Sequence, residues 1–270
     1  MDWVFYFWLF ITNLGSEYFY LIALTTLYLA VNKKLCYKTA LILFFSMWLN
    51  NFLKNAFKLE RPPEGLIEVS GYGFPSGHAQ NSATFWGYLA VVTRSLSVIV
   101  LAVILIILIS YSRLYLNVHY LMDVVGGILI GLLLVFTYHF LNRFFEERVE
   151  KMSFGFKVFI SGIVPLILFA LYTILFFEEA SEDVPRICGA YLGFAVGYLL
   201  ENRTVGIDDP QVFKVRVIRS ILGILSVFSL YLLLSILLPT GFYIIFIRYV
   251  IVALLMTIFI PFLVKALKIS

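Results

Sequence analysis

Three clusters of residues in this sequence have the chemistry to act together on a phosphoryl group. Lys54 stands seven positions before Arg61-Pro62, Pro75-Ser76-Gly77-His78 forms a second cluster, and Ser112-Arg113 leads to His119 and Asp123. Phosphoryl transfer needs positive charge on the nonbridging oxygens, an in-line nucleophile and a proton for the leaving oxygen. Lys54, Arg61 and Arg113 supply three cations; an arginine fork matches phosphate in two hydrogen bonds, and lysine acts as a compact charge. His119 and Asp123 are four apart, so a helix beginning near His119 puts them one turn apart on one face. Asp123 could then take a proton from one ring nitrogen and leave the other a lone pair for attack. His78 suits a general acid for the leaving alcohol. Ser76 offers a hydroxyl, Gly77 admits close approach, and the amides of a helix starting there make an anion cradle.

Each cluster also has a plainer reading. Single cations near apolar spans snorkel to the interface, a lone histidine can be a hydrogen-bonded interfacial side chain, and Pro-Ser-Gly can be a turn with a helix cap. The three clusters together, in one order, favour chemistry. His78, His119 and Asp123 could be drawn as two-histidine, one-carboxylate metal ligands. Three cations around the same point would repel a divalent ion, so phosphate is the better guest and no metal or cofactor is expected.

The elements that must carry these residues are membrane helices. Of 270 residues 62% are hydrophobic and 13% charged, against roughly 45–50% and about 25% in soluble domains. Apolar runs near the length of a bilayer recur, and their continuity favours helices over a barrel. An interfacial or part-inserted helix is expected at Trp3–Thr12, broken by Asn13, Gly15 and Ser16. Spans are expected at Tyr18–Val31, Thr39–Phe57, Ala79–Thr93, Leu96–Leu116, Leu121–Leu141, Val158–Phe177, Arg186–Leu200, Val215–Leu238 and Phe242–Leu263. The start lacks a basic region and a small-residue cleavage site, so no cleaved leader is expected. Cys36 and Cys188 are expected as small buried hydrophobes. Gly126, Gly127 and Gly131 have the small-residue spacing of a close helix contact. No basic run of five or more occurs, and nucleic acid is not an expected partner.

Lys33, Lys34 and Lys38, then Arg143, Arg148, Lys151 and Lys157, then Arg203, Lys214, Arg216 and Arg219 mark alternate connections, which the positive-inside rule assigns to the cytoplasm. The opposing connection at Phe177–Val184 carries Glu178, Glu179, Glu182 and Asp183. All three chemical clusters fall on that opposite, non-cytoplasmic side. Arg248 lies inside the last apolar span, where snorkelling or an acidic partner is expected.

With its fixed letters K-x6-R-P, P-S-G-H and S-R-x5-H-x3-D all present, the sequence resembles the type-2 phosphatidic acid phosphatase superfamily. That superfamily includes lipid phosphate phosphatases, bacterial phosphatidylglycerophosphate and undecaprenyl diphosphate phosphatases, glucose-6-phosphatase and vanadium haloperoxidases. The resemblance covers about Trp3 to Phe177, and Asn117 stands where many members have glycine. It implies an all-α, polytopic transmembrane bundle, with a six-helix core at 1–177 and about three extra helices at 178–270. It implies a metal-independent phosphatase in which His119 is the nucleophile, forming a phosphohistidine. Asp123 is its partner, His78 the acid, and Lys54, Arg61, Ser76, Gly77 and Arg113 bind phosphate.

A multi-pass cell-membrane enzyme acting on a lipid monophosphate or diphosphate is therefore expected, with membrane lipids as its surroundings. Two other readings stay open. One is a phosphatase or phosphotransferase for soluble esters, distinguished by rates on water-soluble substrates. The other is a non-catalytic phosphate-binding transporter, which the number of spans allows but which has no need of two histidines in acid and nucleophile positions.

Overall fold

A computed structural model describes residues 3–176 and 181–269. Among them the regular structure is helical. The helices are α1 (Trp3–Asn13), α2 (Glu17–Thr26, prolonged by a π-helical turn at Leu27–Val31), α3 (Lys33–Phe57), α4 (Gly77–Thr93), α5 (Leu96–Tyr115), α6 (Leu121–Lys151), α7 (Phe154–Phe176), α8 (Asp183–Thr204), α9 (Phe213–Leu237), α10 (Phe242–Leu254, prolonged by a π-helical turn at Leu255–Phe259) and α11 (Ile260–Ala266). Glu178 and Glu179 of the expected acidic connection lie outside the described residues.

Five stretches are long and apolar enough to cross a membrane: Leu96–Tyr115, Leu121–Lys151, Phe154–Phe176, Phe213–Leu237 and Phe242–Ala266. The α1–α2 pair adds a sixth if counted as one span bent by 53° at its break. The chain is thus an integral, multi-pass membrane protein. The other expected spans are also helical, but α4 has only 17 residues, and the charges within α3 and α8 lower their apolar content. Large apolar side chains on the outside of the long helices are exposed, such as Leu133, Phe136, Ile174 and Ile236. This is what helices solvated by lipid tails require.

By internal contacts the chain forms two units, Met1–Tyr20 with Phe45–Glu147, and Leu21–Phe44 with Arg148–Ser270. In the first, α4 packs on α5 and on the glycine face of α6. A Cβ at Gly131 would stand 2.5 Å from the Gln80 carbonyl, and one at Gly127 2.7 Å from that of Ser76. Two backbones meet there, as the small-residue spacing anticipates. In the second, Gly189, Gly193 and Gly197 of α8 let the α10 backbone and Thr257 approach in the same way. Cys36 and Cys188 are free and buried within this unit.

Candidate active site

The α3–α4 connection leaves the membrane helix after Lys54 and returns at Ser76. It is tied down along its length. Lys58 closes α3 with φ 51°, the Gly73 amide donates to the Leu59 carbonyl at 2.7 Å, and the Leu66 amide donates to Leu116 at 2.9 Å. Asn117 has φ 51° and donates its side-chain amide to the carbonyls of Pro63 and Glu64. Asparagine is among the few residues with a side chain that tolerate this left-handed geometry, so it serves where glycine is common. Lys54 Nζ donates to the carbonyls of Tyr72 and Gly73.

The start of α4 is fixed by a buried polar network. The Ser76 amide donates to the Asp123 carbonyl at 2.9 Å. The Asn50 side-chain amide donates to the Pro75 carbonyl and to Gln80 Oε1. Gln80 in turn donates to Ser46, and Thr84 Oγ1 donates to Ser46 Oγ. A Cβ at Gly77 would meet Asn50 Oδ1 at 2.9 Å, so glycine lets the turn close on its clamp. Ser76 occupies the N-cap position, but its hydroxyl makes no cap bond. That oxygen is buried without a partner among the described residues.

His119 and Asp123 meet where α5 gives way to α6. The helix begins at Leu121, two residues after the histidine, and brings Asp123 Oδ2 within 3.3 Å of His119 Nδ1. The same oxygen accepts the Tyr120 amide at 2.9 Å. Arg61 NH1 lies 2.9 Å from His119 Nε2. A guanidinium has no acceptor, so Nε2 must be the accepting nitrogen. The proton then resides on Nδ1, facing the carboxylate. The pair of contacts therefore fixes a tautomer in which Nε2 carries the free electron pair. Arg61 also donates to the carbonyls of Ser70, Gly71 and Val118. Burial draws the His119 pKa down to about 4; the Asp123 hydrogen bond pulls it back, while Arg61, Lys54 and Arg113 lower it further. The imidazole is thus neutral at ordinary pH.

Arg113 is buried near the end of α5. It donates NH1 to Thr12 Oγ1 at 2.7 Å, and its Nε has no partner among the described residues. His78 lies within electrostatic reach of Arg113, His119, Lys54 and Arg61. All eight residues singled out in the sequence, Lys54, Arg61, Ser76, Gly77, His78, Arg113, His119 and Asp123, fall in the first unit. Beside Arg61 opens a cavity of 630 Å³ between the α3–α4 connection and Asn117-Val118, lined also by Ile67, Glu68, Val69 and Ser70. Among the described residues no group of three or more His, Cys, Asp or Glu side chains is arranged to hold a metal ion.

Sequence reasoning did not assign Thr12, Ser46 or Gln80 a place beside the site. Asn50, Asn51 and Asn55 stand near Lys54 in the sequence, and Asn50 joins the network.

Residues 35–147 match the family described as the PAP2 superfamily, and residues 185–270 match its phosphatase transmembrane extension. The chain carries a PAP2 superfamily domain. PAP2 is the short form of type-2 phosphatidic acid phosphatase, and the matched region holds every residue of the three clusters. The region after Phe176, for which the sequence offered no counterpart in the core, is in large part the family's own extension. Among curated relatives, the chain is 26% identical over 216 residues to the probable sphingosine-1-phosphate phosphatase of Dictyostelium discoideum, covering 69% of this chain and 51% of that protein. It is 33% identical over 113 residues to phosphatidylglycerophosphatase B of Bacillus subtilis, covering 38% and 54%. To human sphingosine-1-phosphate phosphatase 2 it is 28% identical over 214 residues, covering 73% and 53%. The chain spans about half the length of the curated relatives it matches. A crystal structure of the PAP2-type phosphatidylglycerolphosphate phosphatase from Bacillus subtilis is similar at 27% identity with TM-score 0.47, covering 57% of this chain and 81% of that one.

Proposed function

We propose that this PAP2 protein is a lipid phosphate phosphatase that works through a phosphohistidine on His119, with residues 1–177 as catalytic core and 178–270 as an added membrane region. The observation that carries the reading is the fixed tautomer of His119, with Nδ1–H toward Asp123 and the Nε2 lone pair toward Arg61. A structural histidine needs no such arrangement, whereas a nucleophile does.

The chemistry follows in two balanced steps. The phosphate of the substrate displaces Arg61 from Nε2 and takes the guanidinium as its own partner, with Lys54, Arg113 and the Ser76–Gly77 turn on the other oxygens. The Nε2 pair forms a bond to phosphorus, the ester P–O bond breaks, and His78 gives its proton to the leaving oxygen. The negative phosphate favours that proton on His78 against the surrounding cations. Asp123 stabilises the positive charge that develops on the ring of His119. Water then gives a proton to His78 and its oxygen attacks phosphorus. The P–N bond breaks and its pair returns to Nε2.

The lysine and arginine content of the connections supports placing this site at the non-cytoplasmic face. Relatives named for sphingosine 1-phosphate and phosphatidylglycerophosphate support a lipid substrate. The test is phosphate release by the purified chain from phosphatidate, phosphatidylglycerophosphate, undecaprenyl diphosphate, a sphingoid phosphate and glucose 6-phosphate. Lipid turnover that disappears in His119→Ala is the expected result. Turnover retained by that variant, or confined to the sugar phosphate, contradicts the proposal.

A further inference from the structure

Residues 12–16 precede the segment that matches the PAP2 superfamily, which begins at residue 35. They form the break between α1 and α2. The Gly15 amide donates to the Thr12 carbonyl at 2.9 Å and the Ser16 amide to Asn13 at 3.1 Å, while Ser16 Oγ accepts the Phe19 amide to start α2. A turn of this kind is an ordinary way to break a helix. Two of its residues do something further.

Thr12 is buried. A buried helical threonine commonly returns its hydroxyl to the carbonyl four residues back, as Thr39, Thr84 and Thr257 do here. Thr12 instead accepts NH1 of Arg113 at 2.7 Å. Arg113 has five N–H donors; among the described residues this is its one side-chain bond, and Nε is left without a partner. A buried guanidinium so sparsely bonded is held in place for an anion that completes its shell. Gly15 meets the same helix one turn earlier. A Cβ there would stand 2.8 Å from Ile109 Cγ2 and 2.9 Å from His78 Cδ2. Ile109 and Arg113 are four apart and share a face of α5. The break thus touches the buried cation on one side and the histidine ring on the other.

We propose that the turn at Thr12–Ser16 is part of the catalytic site, with Thr12 positioning Arg113 for phosphate and Gly15 seating the ring of His78. The roles of Arg113 and His78 rest on the function proposed above; the contacts stand independently of it. Neither Thr12 nor Gly15 touches the reacting atoms, so both act through their neighbours.

The experiment uses the full chain in detergent, with orthovanadate as the phosphate probe and phosphatidate as substrate. Thr12→Val keeps shape and removes the acceptor. Hydrogen bonds to charged groups carry enough free energy for its vanadate affinity and kcat/KM to fall about tenfold or more, with Thr12→Ser restoring most of the loss. Gly15→Ala pushes the His78 ring and lowers kcat about tenfold, with a displaced alkaline limb in its pH profile. Thermal unfolding and elution close to wild type are expected for all three; Thr12→Ala replaces the valine variant if that one does not fold. Vanadate affinity within about twofold of wild type in Thr12→Val, or a loss that serine does not rescue, overturns the role of Thr12. An unchanged kcat and pH profile in Gly15→Ala overturns that of Gly15. Wild-type protein that binds vanadate but releases no phosphate defeats the proposed function, while the vanadate comparison still decides on Thr12. Wild-type protein that binds no vanadate overturns both.

Discussion

The two units of the chain treat buried charge in opposite ways. In the second, Glu201 is fully buried and satisfied from within. It pairs with Lys33 Nζ at 3.0 Å, accepts the Ile207 amide at 2.8 Å and lies 3.5 Å from the Tyr28 hydroxyl. Arg219 likewise donates to the carbonyls of Asp208 and Ile269. In the first unit, Ser76 Oγ and Arg113 Nε are buried without partners among the described residues, and Lys54, Arg61 and Arg113 all act electrostatically on both His78 and His119, with Asp123 beside His119. A self-satisfied cluster fastens helices together. An unsatisfied, positively biased one is a place where an anion belongs, because leaving such groups unpaired is costly. Arg248 stands between the two cases. Snorkelling or an acidic partner was expected for it; among the described residues it has no acidic partner and bonds to Ser235 Oγ and the Leu238 carbonyl at 3.3 Å, with its Nε unpartnered.

The contrast is most sharply drawn by removing one carboxylate from each unit. Asp123→Asn should cost turnover by roughly 10⁴-fold, as loss of an orienting carboxylate does in other triads, with little change in thermal stability. Glu201→Ala should do the reverse. It leaves Lys33 facing a buried gap and should lower unfolding stability by about 3–5 kcal/mol, with the turnover of folded protein preserved. Thermal unfolding and phosphate release, measured on both variants, decide it. Equal effects on both properties would erase the distinction.

Arg61→Lys is expected to be smaller, a loss of about 10–100-fold in kcat/KM, because lysine keeps the charge but not the fork that contacts His119 before substrate binds and phosphate afterwards. Activity close to wild type would mean that the Arg61 contact with Nε2 is incidental. A subtler effect concerns protonation. Because burial lowers the pKa of His119 to about 4, the neutral, nucleophilic form persists as pH falls through the ordinary histidine range and is lost only near the lower value. The chain has 3 histidines, few enough for nitrogen NMR of the ligand-free protein to follow each. An inflection for His119 near 6.5 would remove the electrostatic basis of the site. The smallest effect expected is none: turnover should be unchanged by chelators, and loss restored by Mg²⁺ would refute metal independence.

Much of this was legible before any coordinates. The candidate cluster could be read because phosphate chemistry calls for rare residue types, and charges or histidines stand out against an apolar chain. The helical bundle could be read because lipid forces backbone bonds inward. Helix ends were less visible. α6 was expected to stop at Leu141 and runs to Lys151, and α3 starts at Lys33 rather than Thr39. Hydropathy reports where lipid ends, and helices continue past it until a breaker intervenes. Thr12, Ser46 and Gln80 were hidden for another reason. A threonine or glutamine in a membrane helix looks the same whether it bonds its own backbone or a neighbouring helix, and no periodicity says which. The glycines of α8 carry the same four-residue spacing as those of α6 and were equally readable.

The central claim is that His119 Nε2 forms the covalent bond to phosphorus. Single-turnover reaction with a phosphorus-labelled lipid phosphate, quenched under alkaline conditions and followed by peptide mass spectrometry, tests it directly. The account predicts one acid-labile phosphoryl group on His119, formed no slower than product and absent from His119→Ala. Full turnover without any label on His119 would contradict it.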